Sequence, residues 1–131
     1  MIVDASAIVA IATQEEDAER FHEALEAHDG PKFMSPVNAW EIATRLNLMG
    51  DDDAARHVAR LLRFYGVVIA PVGDGEYAHA VEAQRNYGKK NHPARLNLGD
   101  CFAYALAKTR DEPLLFKGDD FPQTDITSAL A

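Results

Sequence analysis

The chain has 131 residues, of which 47% are hydrophobic and 26% charged, and carries a formal net charge of -8. That length suits one domain with a real core, spanning residues 1–131, and the acidic balance excludes a broad nucleic-acid-coating surface, leaving room only for a local basic patch. The lone Cys101 excludes an internal disulfide and a cysteine-type zinc site. No run approaches the ~20 apolar residues of a membrane span, and the chain starts on a strand pattern instead of a basic leader; a cytoplasmic protein is expected.

Ile2-Val3-Asp4 reads as a short buried strand ending at an acid, and Ala5 to Ile11 as a packed helix. A carboxylate at the carboxyl end of a strand, where the chain turns into a helix, is where open α/β sheets place their ligands. A simple turn or capping aspartate would occupy the same position. Thr13-Gln14-Glu15-Glu16 has the form of a capping box, opening a helix whose stripe is Ala18, Phe21, Leu25 and His28. Asp29-Gly30-Pro31 breaks that helix, and Lys32-Phe33-Met34 reads as a second strand. Ser35-Pro36 joins a capping hydroxyl to a proline suited to the first helical position. The helix it starts runs to about Met49, with Val37, Trp40, Thr44 and Leu48 inward, Trp40 as a core anchor, and Glu41 on the flank. The alternative for Glu41 is an outward ion pair with Arg45, four residues on.

Gly50-Asp51-Asp52-Asp53 lacks the ligand spacing of a calcium loop and reads as a solvated helix start. Val58, Leu61, Leu62 and Tyr65 continue a helix that stops at Gly66. Val67 to Pro71 is a continuous apolar run, as expected of a parallel strand buried on both faces. Gly73-Asp74-Gly75 leads into a helix carrying Tyr77, Val81 and Gln84. The segment Arg85 to Arg95, with Gly88 and Pro93, reads as a loop. Its Lys89, Lys90, His92 and Arg95 stand out in an acidic chain and suggest a phosphate-contacting strip beside Asp100.

Asn97 to Ala107 reads as a core helix, with Phe102, Ala105, Leu106 and Thr109 at helical spacing. Asp100 sits in its first turn, where the helix dipole favours an anion. Pro113 to Phe116 is a further strand, Lys117 to Phe121 the turn at its end, and Thr124-Asp125-Ile126 a short edge strand. Strands alternating with helices predict an α/β sandwich with a mainly parallel sheet. His22, His28, His57 and His79 show no metal-ligand spacing and read as surface or boundary residues.

Asp4 and the Asp119-Asp120 pair end two predicted strands, while Glu41 and Asp100 lie on helices that could pack above the same sheet edge. Carboxylates a few ångströms apart do not all ionise without a neutralising cation. Oxygen ligands without His or Cys select Mg²⁺ or Mn²⁺ over zinc, and such ions hold a phosphodiester and activate water.

Four blocks carry a family resemblance: Met1-Ile2-Val3-Asp4-Ala5-Ser6-Ala7, Glu41 within Asn38 to Ile42, Leu98 to Ala107, and Leu115 to Phe121. Together they resemble a PIN domain, and more closely a VapC-type toxin ribonuclease, over essentially the whole chain. The resemblance implies a three-layer α/β/α sandwich and a Mg²⁺-dependent endoribonuclease, with Mn²⁺ as a substitute. Asp4, Glu41 and Asp100 match the first three acids. Asp119 or Asp120 fills the fourth place, with Asp120 preferred and Asp119 in support or at a second metal. Ser6 matches a hydroxyl residue that orients a ligand water or carboxylate. An RNA substrate, a silencing antitoxin seated in an apolar groove, and a homodimer are further implications.

Other folds fit less well. A phosphatase of the haloacid dehalogenase type needs a second aspartate where Ser6 stands. A receiver domain needs adjacent acids after the first strand and an acid ending a middle strand, which Val67 to Pro71 lacks. A catalytically silent PIN-fold binding module is the rival from another class, and the retained, mutually repelling acids count against it.

Overall fold

The strands are two or three residues long and all run parallel, so every return across the sheet is made by helices. The computed structural model describes residues 1–130. Strands β1 (Ile2–Val3), β2 (Lys32–Met34), β3 (Val67–Ile69) and β4 (Leu114–Leu115) form one sheet in the order β3-β2-β1-β4. Ile2 is in register with Phe33 on one side and Leu114 on the other.

Alternation along these strands splits the core into two layers. Val3, Met34 and Leu115 point to one face, which is covered by α1 (Ala5–Ala12), α2 (Ala18–Ala27), α3 (Pro36–Leu48) and α4 (Ala54–Tyr65). Ile2, Phe33 and Leu114 point to the other, covered by α5 (Asp74–Tyr87) and α6 (Leu98–Arg110). The result is an α/β/α sandwich: the alternation predicted an α/β sandwich with a mainly parallel sheet, and the family resemblance implied its three layers. In α6, Cys101 and every residue from Ala103 to Ala107 are buried, so that helix is core on nearly all sides.

Local chemistry explains most of the boundaries. Ser35 caps α3 by accepting from the Val37 amide at 3.1 Å, with Pro36 following it. Gly66 ends α4 in the left-handed conformation at φ 69°, which a glycine adopts without the Cβ penalty.

Several expectations are corrected. The Thr13 hydroxyl does not cap α2; it bonds back to the Val9 carbonyl at 2.8 Å and closes α1 instead. The inward face of α3 is Asn38, Ala39, Ile42 and Leu46, whereas Trp40 is 64% and Leu48 81% exposed, so Trp40 anchors no core. Strand β3 is parallel but lies at the sheet edge, with Val68 57% exposed, because no further strand or helix among the described residues covers its outer face. Helix α5 extends through Arg85 and Asn86 to Tyr87, so the basic loop begins only at Gly88. The final pairing with β4 comes from Ser128 as an isolated bridge, not from Thr124 to Ile126. In α6, Phe102 is half-buried and Thr109 exposed.

Candidate active site

Asp4 at the start of α1, Glu41 within α3 and Asp100 in the first turn of α6 face one cavity of about 360 Å³ at the carboxyl edge of the sheet, which Glu15 also lines. Asp4 follows β1 directly and caps α1. Its Oδ2 accepts from the Ser6 amide at 3.1 Å and from the Ser6 hydroxyl. Ser6 Oγ also accepts from the Lys117 amide at 2.9 Å, which ties the exit of β4 to the start of α1. Asp4 is 5% exposed. Burial pushes its carboxyl up to about 6 against the lowering effect of the Ser6 hydrogen bonds, and the Glu41 charge adds to the rise.

Asp100 is the third residue of α6 and shares a reciprocal cap with Asn97. The Asp100 amide donates to Asn97 Oδ1 at 2.9 Å, and the Asn97 amide donates to Asp100 Oδ2 at 3.1 Å. Capping does not stop this acid from holding a cation, since a carboxylate has lone pairs to spare after one cap bond. Burial raises its carboxyl to about 6; the Asn97 amide opposes this, Asp4 and Asp120 raise it further, and Lys89 lowers it. Glu41 is half-buried and also raised, first by burial and then by Asp100, against a hydrogen bond from Asn38. It makes no ion pair with Arg45; Asn38 Nδ2 donates to its Oε1 at 2.7 Å instead. Arg45 borders the same cavity.

The remaining predicted residues divide. Asp120 is exposed at the start of a short 3₁₀ turn and is close enough to raise Asp100. Asp119 lines a different cavity, with Asp17, Arg20 and Phe21. Lys89, Lys90, His92 and Arg95 do lie together, lining a hollow of about 560 Å³. A bridge between Gly88 and Leu96 closes their loop. Within it His92 is a structural residue as well: its Nδ1 accepts from the Ala94 amide at 3.0 Å, and its ring meets Tyr87 edge to face. Lys117 borders the acid cavity, but its ammonium is held by Glu15 and Asp17, both at 3.0 Å.

Among the described residues, no group of three His, Cys, Asp or Glu side chains stands ready to enclose a metal ion. The donor set nonetheless fits Mg²⁺, which keeps several of its waters and is commonly held through one or two carboxylates. One buried acid and two half-buried ones, all raised by desolvation and mutual repulsion, are the environment that a hard cation relieves.

Sequence reasoning missed Asn38 and Gly99. Asn38 is fully buried and also donates to the Gly99 carbonyl at 3.1 Å. The available signal was an amide side chain one turn before Glu41 in an otherwise apolar segment.

The PIN domain profile matches residues 1–126. The chain is 45% identical to Ribonuclease VapC42 of Mycobacterium tuberculosis, over 98% of both chains. It is 41% identical to Ribonuclease VapC30 of the same species, over 98% of this chain and 97% of that one. Its fold is similar to the crystal structure of M. tuberculosis VapC20, described as a Sarcin-Ricin loop cleaving toxin. That match has a TM-score of 0.78 and 16% identity, and covers 96% of this chain and 95% of the other. With its acids at the carboxyl edge of a parallel sheet, the chain belongs to the PIN-domain family and, within it, to the VapC ribonucleases.

Proposed function

We propose that this protein is the toxin of a toxin–antitoxin pair, an endoribonuclease that hydrolyses RNA with Mg²⁺, for which Mn²⁺ can substitute. The observation that carries this reading is the set of Asp4, Glu41 and Asp100, which raise one another's proton affinity around one cavity with oxygen donors only. With Asp120 at the rim, these acids would hold the ion. The ion supplies Lewis-acid activation of water and neutralises charge at the phosphoryl group.

The protein's own groups do the rest. Ser6 and Asn97 fix the Asp4 and Asp100 carboxylates through capping hydrogen bonds. Lys89, Lys90 and Arg95 take the phosphates flanking the scissile bond, with His92 closing their loop and offering its free edge to substrate. Asp119 supports the rim. The whole chain works as one nuclease unit, and the cytoplasm is its compartment. A groove of about 620 Å³ rimmed by Tyr77, Val81, Leu98 and Phe102 supports binding of a protein partner. The antitoxin and a second copy of the chain are the partners proposed.

The test is RNA cleavage by antitoxin-free protein with Mg²⁺, with chelator, and with the Asp100→Asn variant. Cleavage should require the metal and the acid, and leave 5′-phosphate and 3′-hydroxyl ends. Products ending in 2′,3′-cyclic phosphate would overturn water as the nucleophile. Silence against RNA in every condition would favour a binding module.

A further inference from the structure

Asp4 and Asp100 are each fixed by the capping geometry of their own helix. Glu41 has no such support, because it lies inside α3. Its carboxylate is held from two sides. On one side Asn38, wholly buried, uses the same Nδ2 to donate to Glu41 Oε1 at 2.7 Å and to the Gly99 carbonyl at 3.1 Å. Those two acceptors determine which way the amide faces. Turned over, its oxygen would meet a carboxylate and a carbonyl oxygen. The other end, Oδ1, is buried and finds no donor among the described residues. The buried Oδ1 is a cost, and what asparagine supplies in return at this position is the pair of Nδ2 bonds to Glu41 and Gly99.

On the other side stands Gly99, in the first turn of α6. A Cβ there would overlap the carboxylate carbon and both oxygens of Glu41. The Glu41 side chain thus occupies space that only glycine leaves where α3 meets α6. We propose that Asn38 and Gly99 are positioning residues for the nuclease reaction, Asn38 as the anchor and Gly99 as the clearance that turn the Glu41 carboxylate into the acid cavity. This inference rests on the metal-site reading above.

The test is Mn²⁺ affinity, by calorimetry or electron spin resonance, of the full chain free of RNA and antitoxin. Wild type, Asn38→Leu, Glu41→Gln and the double variant are compared, with thermal midpoints taken without metal. Asn38→Leu should keep a cooperative thermal transition yet bind Mn²⁺ about tenfold more weakly. Glu41→Gln should show a similar loss, and the double variant should bind no more weakly than Glu41→Gln alone. Wild-type affinity in Asn38→Leu, with Glu41→Gln weakened, overturns the inference and leaves the metal site standing. Losses that multiply in the double variant overturn it too, since Asn38 would then act independently of Glu41. Equal affinity in wild type and Glu41→Gln removes Glu41 from the metal site and both readings with it. If Asn38→Leu does not fold, Gly99→Ala takes its place in the same comparison, with the same losses expected and the same outcomes decisive.

Discussion

The acid cavity and the basic loop are neighbours, since Lys89 lowers the proton affinity of Asp100, but they are assembled in opposite ways. The cavity draws Asp4, Glu41 and Asp100 from α1, α3 and α6, and exists only when those helices cross above the sheet. The loop draws its cations from one continuous stretch, Lys89 to Arg95, closed by a single bridge. Charges in the cavity are buried or half-buried and less screened, so each raises the next. Those in the loop are mostly exposed, so salt screens them and each contributes little by itself. In the proposed reaction, chemistry belongs to the first region and substrate retention to the second.

The sharpest way to break this contrast is Asp100→Asn. Turnover should fall by at least about 100-fold with Mg²⁺ present, the scale of losing one charge-stabilising group from an active site. The metal-free variant should melt above wild type at neutral pH, because a buried repulsion has gone. Asp120→Asn should lose more activity than Asp119→Asn, since the Asp120 charge reaches Asp100 and Asp119 lines another cavity. Equal losses in a side-by-side cleavage assay would return Asp119 to the site.

The pH dependence of stability is expected to separate the regions next. Asp4 has an ordinary value of 3.8 and is raised to about 6 in the folded protein. Between those values the folded state binds more protons than the unfolded chain, so metal-free stability falls as pH rises from about 4 to about 6 and then levels. The drop from Asp4 alone is about 3 kcal/mol, and Asp100 acts in the same direction. Denaturant unfolding across that range checks it, and saturating Mg²⁺ should hold stability up at the higher pH. A stability that climbs through the window would contradict the buried-acid reading.

The basic loop should yield the smallest single effects. Lys90→Ala and Arg95→Ala should each weaken RNA binding a few-fold and make the salt dependence shallower, by about 0.7 in slope for each phosphate left without its cation. Both should leave Mn²⁺ affinity alone. Lys89→Ala should weaken RNA binding similarly but tighten Mn²⁺ about twofold, because a positive neighbour of Asp100 is removed. No change in Mn²⁺ affinity would detach the loop from the cavity.

Much of this was legible in the chain itself because it depends on neighbours in sequence. Short apolar strands alternating with helices dictated a parallel α/β sandwich. Ser35-Pro36 and Gly66 set helix ends through bonds and dihedrals formed within a few residues. Asp4 and Asp100 could be placed at helix starts for the same reason, as each bonds to backbone two or three residues away. Thr13 shows the limit of such reasoning, because the same hydroxyl can close one helix or open the next.

Tertiary structure decided what depends on helix rotation and on which element ends up outermost. One residue on a helix is a turn of about 100°, so an apolar stripe misread by a position exposes Trp40 and buries Asn38. The run Val67 to Ile69 is apolar enough for a central strand, yet strand order puts it at the edge. Asp119 and Asp120 are alike in sequence, and only the turn after β4 brings the Asp120 charge within reach of Asp100 while Asp119 lines a cavity with Arg20. Composition and local bonding determined that acids stand at the carboxyl edge of a parallel sheet. The crossing of α3 over α6, with glycine where they meet, decided which of them share a cavity, because close packing between distant segments leaves no periodic trace in either one.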